Sequence, residues 1–122
     1  MPDHIHLLIY LPESGLLHKF NKLWRGRSAI RIIEYAKKAK SSKVLDVMEK
    51  HANGKSQYAV WKEQVRALAI YNEKKLYAMV DYIHANPVRR KIASHLKDWE
   101  FSSWRFYEHD EPVALNITPL IR

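Results

Sequence analysis

The sequence predicts an α+β domain, and three observations carry that prediction. Ile5, Leu7 and Ile9 alternate with His4, His6 and Leu8, the period-two pattern of a strand. Apolar side chains recur every three to four residues over 14–36 and again over 72–85, the period of a helix. Between them lies "QYAVWKEQVRALAI", residues 57–70, rich in the branched and aromatic side chains that favour strands.

Taken in order, residues 2–11 read as a strand ended by Pro12. Ser14 can cap a helix carrying Leu16, Leu17, Phe20, Leu23 and Trp24, with Gly26 marking a kink or a break before Ile30, Ile33 and Ala36. A basic connection follows, Lys37, Lys38, Lys40 and Lys43 around Ser41 and Ser42. Val44, Leu45, Val47 and Met48 then predict a second helix, stopped near Asn53 and Gly54. Strands are expected over 57–62 and 65–70. Asn72 is a plausible cap for a helix with Leu76, Met79, Val80 and Ile83 on its buried face, and Pro87 should end it near His84 or Ala85. A proline-punctuated tail closes the chain.

The 122 residues suit one domain. With 21 Lys and Arg against 13 Asp and Glu, the net charge of +8 favours a polyanionic partner, nucleic acid first. The absence of cysteine excludes disulfides, thiolate metal sites and a thiol nucleophile. No apolar run approaches the ~18 residues of a membrane span, nor does the start resemble a secretory signal. The expectation is a soluble, cytoplasmic protein with no membrane partner.

Two groups of residues can carry chemistry. On a strand, His4 and His6 project from one face about 6–7 Å apart, close enough to share one metal ion. The same spacing also describes two partly exposed histidines bonded to water or backbone. In "DYIHANPVRR", Tyr82 and Asn86 lie one helical turn apart on one face. That pair reads either as packing and a helix stop, or as a nucleophile beside a neutral oxygen ligand. Arg89, Arg90 and Lys91 would suit a phosphate backbone, as would Lys37, Lys38, Lys40 and Lys43, although a solvated basic loop has the same composition. Trp24, Trp61, Trp99 and Trp104 are candidates for core packing or base stacking.

"MPDHIHLLI", "YIHANPVRR" and "DWEFSSW", in that order, resemble the signatures of the single-tyrosine HUH transposases, most of all the REP-associated tyrosine transposase branch. The family's His, hydrophobic, His triplet corresponds to His4, Ile5 and His6. Its tyrosine and the ligand four residues on correspond to Tyr82 and Asn86, and its Trp and Ser-Ser segment to Trp99, Ser102 and Ser103. The resemblance implies a ferredoxin-like antiparallel sheet with helices packed on it, a transposase domain over 1–107 and a tail over 108–122. It implies Mg²⁺ or Mn²⁺ held by His4, His6 and Asn86, with Tyr82 attacking single-stranded or hairpin DNA to leave a 5′-phosphotyrosine.

The chain departs from the family in two places. The family carries a strand and a helix ahead of the histidine strand, so an N-terminally truncated version is expected here, with self-association into a homodimer as one way to cover the open sheet edge. The family's "NPVRAGL" is "NPVRRKI", which loses a glycine at a turn. Two other functional readings stand beside the enzyme. One is an inactive remnant that holds DNA hairpins without cutting them. The other is an unrelated basic domain in which the histidines are incidental.

Overall fold

The computed structural model describes residues 1–13, 15–52, 54, 56–62 and 65–119. They form four α-helices, α1 (Leu16–Lys38), α2 (Ser42–Lys50), α3 (Glu73–Arg89) and α4 (Trp104–His109), with one 3₁₀ turn at Leu96–Asp98. The chain divides into two compact units, Leu11–Ala67 and the combination of Met1–Tyr10 with Leu68–Arg122.

The expected ferredoxin-like sheet is absent, and no strand occurs among the described residues. An alternating pattern assigns side chains to two faces, but a strand exists only when its amides and carbonyls find a ladder partner. Residues 2–11 make no backbone hydrogen bond to another segment among the described residues. The alternation survives as sidedness: His4, His6 and Leu8 are half-buried, while Ile5, Leu7 and Ile9 are exposed. The expected strand over 57–62 is an irregular segment. One backbone bond ties it down, from the Ala59 amide to the Met48 carbonyl (2.9 Å), helped by side chains on α1. Residues 65–70 are also irregular, and the intervening 63 and 64 lie outside the described residues.

In the unit Leu11–Ala67, α1 runs 23 residues without a break at Gly26, where a Cβ would meet open space. The half-buried positions 16, 17, 20, 21, 24, 25, 28, 29 and 33 and the buried Ala36 form a stripe at helical spacing, and Leu23 and Ile30 fall off it into solvent. Ser14, the expected cap, lies outside the described residues, and the cap position belongs to Gly15. Trp61 donates from Nε1 to Ser28 Oγ (3.0 Å) and packs edge-on against Trp24 (5.0 Å between rings), while Arg25 donates to the Lys62 carbonyl. Helix α1 ends where the Ser41 amide reaches back to the Ala36 carbonyl and the Lys40 amide to that of Lys37, both at 3.0 Å. This double bond pattern demands a left-handed residue, and Lys40 supplies it with φ 52°. Helix α2 forms as expected but stops at Lys50, short of Gly54, which is itself left-handed at φ 81°; Asn53 lies outside the described residues.

In the other unit, Asn72 caps α3 as expected, its side chain accepting from the Lys75 amide (2.8 Å). The helix does not stop at Pro87 but continues to Arg89. Proline removes one amide from the interior ladder, yet two residues from the end the remaining turn is recovered by the cap. There the Ile92 amide bonds the Pro87 carbonyl and the Lys91 amide that of Val88, both at 2.9 Å. Lys91, with φ 57°, occupies the left-handed place that the glycine of "NPVRAGL" would hold. The buried face of α3 carries Leu76, Met79, Val80 and Ile83, as the sequence predicts, and extends through His84 and Pro87. The centre of this unit is therefore partly polar, with His84 and Asn86 as buried as Val80. Both polar side chains are hydrogen-bonded, as their burial requires.

Candidate active site

The segment Met1–Tyr10 and helix α3 share one unit, and their polar side chains meet. On α3, Tyr82 and Asn86 stand one turn apart, so the phenol and the amide face the same neighbour. That neighbour is His6. Asn86 donates from Nδ2 to His6 Nε2 (3.1 Å), and the Tyr82 ring lies edge-on to the His6 ring at 5.7 Å. His4 closes the group, its ring 4.8 Å from that of His6 at nearly a right angle. Four residues named from the sequence, His4, His6, Tyr82 and Asn86, are thus brought together from positions 80 residues apart.

Charged side chains frame the group. His4 donates from Nδ1 to Asp3 Oδ1 (2.6 Å), and Arg90 lies 3.7 Å from the other carboxylate oxygen. The hydrogen bond from His4 holds the Asp3 carboxyl below its usual range. Burial, then the neighbouring positive groups of His4, the N-terminus and Arg90, push His6 below the usual imidazole value. That shift favours the neutral imidazole, the form that can act as a ligand. The Arg89 guanidinium sits over the Tyr82 ring, 5.6 Å from its centre, within the range of a cation–π contact.

The donor set fits a divalent ion in part. Asp3 engages His4 Nδ1, so Nε2 is the nitrogen that could ligate, the carboxylate–histidine arrangement common behind metal ligands. His6 Nε2 faces the Asn86 amide, whose oxygen and nitrogen exchange places by a simple flip. Two imidazole nitrogens and one amide oxygen are the donors this group could offer a divalent ion. No group of three or more histidine, cysteine and acidic side chains suited to a metal occurs among the described residues.

The remaining candidates are distributed differently. Lys37, Lys38, Lys40 and Lys43 belong to the other unit, where Lys37 lies over the Tyr58 ring (5.2 Å) and the rest are exposed. Lys91 is exposed at the left-handed turn after α3. All four tryptophans are half-buried against a neighbour: Trp24 on Trp61, Trp99 on Phe101, Trp104 on His109. The sequence reading missed Asp3, whose place beside His4 was the available signal. It also missed His84, four residues beyond Val80 and so on the same buried stripe. His84 Nε2 shares a 2.8 Å hydrogen bond with Ser103 Oγ, and burial pushes its imidazole below the usual value against the pull of Asp81 and Glu108.

One helix and the N-terminal segment thus gather an imidazole pair, a phenol and an amide, and known proteins similar to this chain give that group its context. A Haemophilus influenzae protein provisionally named as a REP-associated tyrosine transposase is 30% identical over 107 residues, covering 85% of this chain and 54% of its own length. The REP-associated tyrosine transposase of Escherichia coli K12 is 23% identical over 120 residues, covering 98% of this chain and 56% of its own. These relatives support the REP-associated tyrosine transposase family for this chain. The chain spans about half the length of the curated relatives it matches. No protein-family model matches it, and no solved structure does. Among the described residues no helix is long and apolar enough to cross a membrane.

Proposed function

We propose that this chain nicks and rejoins single-stranded hairpin DNA in the manner of a transposase, with Tyr82 as nucleophile. The observation that carries the reading is the meeting of Tyr82 and Asn86 on α3 with the His4–His6 pair. A divalent ion, Mg²⁺ or Mn²⁺, held by His4, His6 and Asn86 would supply charge stabilisation at the scissile phosphate.

The chain's own residues do the rest. Tyr82 Oη attacks phosphorus, and the new O–P bond forms as the bond to the 3′ oxygen breaks. The phenol releases its proton to solvent and the departing 3′ oxygen takes one up. The phosphotyrosine keeps the phosphodiester energy, so the reverse attack by a 3′-hydroxyl needs no ATP. Arg89, over the Tyr82 ring, steadies the phenol and offers positive charge to the incoming phosphate. Arg90, Lys91, Lys37, Lys38, Lys40 and Lys43 provide sequence-independent attraction to the backbone, consistent with the +8 charge. The exposed aliphatic side of residues 5–9 supports self-association as a homodimer, and a DNA substrate supports a cytoplasmic location.

A second reading, a DNA-holding remnant without catalysis, is favoured by the absence of a sheet beneath the histidines among the described residues. The test is incubation with hairpin single strands and Mn²⁺, followed by denaturing electrophoresis. A covalent protein–DNA adduct that Tyr82→Phe abolishes is the expected result. Hairpin binding without an adduct selects the remnant.

A further inference from the structure

Helix α3 is held from two sides. Tyr82 and Asn86 face the histidine pair, whereas His84, two residues from each, falls about 160° away around the helix. There it is buried and bonded to Ser103 Oγ at 2.8 Å, with Tyr107 of α4 beyond it, 6.1 Å between rings. Ser103 stands at the start of α4, in a segment that Ser102 shapes by accepting from the Trp104 amide (3.2 Å). Arg105 anchors the same segment, donating from Nε and Nη2 to the Lys97 carbonyl (2.9 and 2.7 Å). On that face Val80 and Pro87 are buried and Leu76, Met79 and Ile83 half-buried, and the His84–Ser103 bond adds a directional contact to this packing. A rotation of α3 that breaks the His84–Ser103 bond swings Tyr82 on the opposite face away from His6.

We infer that Ser103 and His84 form a positioning pair, a hydrogen bond on the far side of α3 that sets Tyr82 against His6. Neither residue touches the reacting atoms. The catalytic meaning of the pair rests on the function proposed above, but its geometric effect does not.

The experiment compares the full chain with Ser103→Ala and Ser103→Thr, the latter restoring the hydroxyl. The first readout is the nuclear Overhauser cross-peak between the His6 and Tyr82 rings, recorded without metal or DNA. The second is the single-turnover rate of adduct formation at saturating hairpin DNA with Mn²⁺, alongside the hairpin Kd. Ser103→Ala should lose the cross-peak and slow the adduct roughly tenfold to a hundredfold, the scale of an ångström-sized misplacement, with Kd unchanged. Ser103→Thr should keep both. A cross-peak that persists in Ser103→Ala overturns the inference, as does an unrestored one in Ser103→Thr. If the unaltered chain forms no adduct, the proposed function fails while the cross-peak still decides the pair. Should Ser103→Ala not fold, Ser103→Gly, which also removes the hydroxyl at this cap position, replaces it, and an undiminished cross-peak there overturns the inference equally.

Discussion

Asn86 donates to His6 Nε2 across 3.1 Å, joining the last turn of α3 to the sixth residue of the chain. The amide is buried and the imidazole half-buried, so water replaces this bond only in part. Asn86→Ala leaves the imidazole nitrogen without its partner and should cost about 1–3 kcal/mol of stability, measured by urea denaturation. Asn86→Asp offers an anionic oxygen in the same place and should tighten Mn²⁺ binding, measured by calorimetry. Equal Mn²⁺ affinity in the two variants would remove Asn86 from the ligand set.

Lys91 and Lys40 occupy left-handed stops at the ends of α3 and α1, at φ 57° and 52°. A side chain there strains against the backbone, and glycine relieves the strain while adding freedom to the unfolded chain. Lys91→Gly and Lys40→Gly should each raise stability by roughly 0.5–1 kcal/mol, seen as a higher melting temperature. Each also removes one positive charge, so the salt dependence of DNA binding should flatten by about one unit of slope per lysine that touches phosphate. Stability and DNA affinity are therefore expected to move in opposite directions.

His84 makes folding pH-dependent. Burial lowers its folded-state pKa below the ordinary 6.5, so the unfolded chain takes up a proton more readily. Stability from this group is complete above pH 6.5 and declines as pH falls below it toward the lowered value. His6 is shifted in the same direction and adds to the decline. Urea midpoints measured above and below pH 6.5 should differ less in His84→Gln than in the unaltered chain. An equal difference in both would assign the pH response elsewhere.

Helices α1, α2 and α3 were legible in the sequence because their signals are local, whereas α4 was not among the expected elements. Asn72 caps the turn that follows it, and Leu76, Met79, Val80 and Ile83 mark a face by spacing alone. Tyr82 and Asn86 could be paired for the same reason. The sheet was misread because alternation in residues 2–11 says which side chains share a face, and nothing about which backbone would pair with it. Pro87 was misread because its effect depends on distance from the helix end, which Lys91 and Ile92 determine. The Ser103 partner of His84, 19 residues away, follows from packing that no local spacing encodes.

His4 and His6 are turned inward while Ile5, Leu7 and Ile9 are turned outward, the reverse of the usual arrangement. Such an exposed aliphatic side favours association between molecules, which the mutual repulsion of chains that each carry +8 opposes. Raising the ionic strength toward 1 M shortens the screening length to about 3 Å and weakens that repulsion. Precipitation with added salt, rather than rescue by it, is the handling behaviour this sidedness imposes.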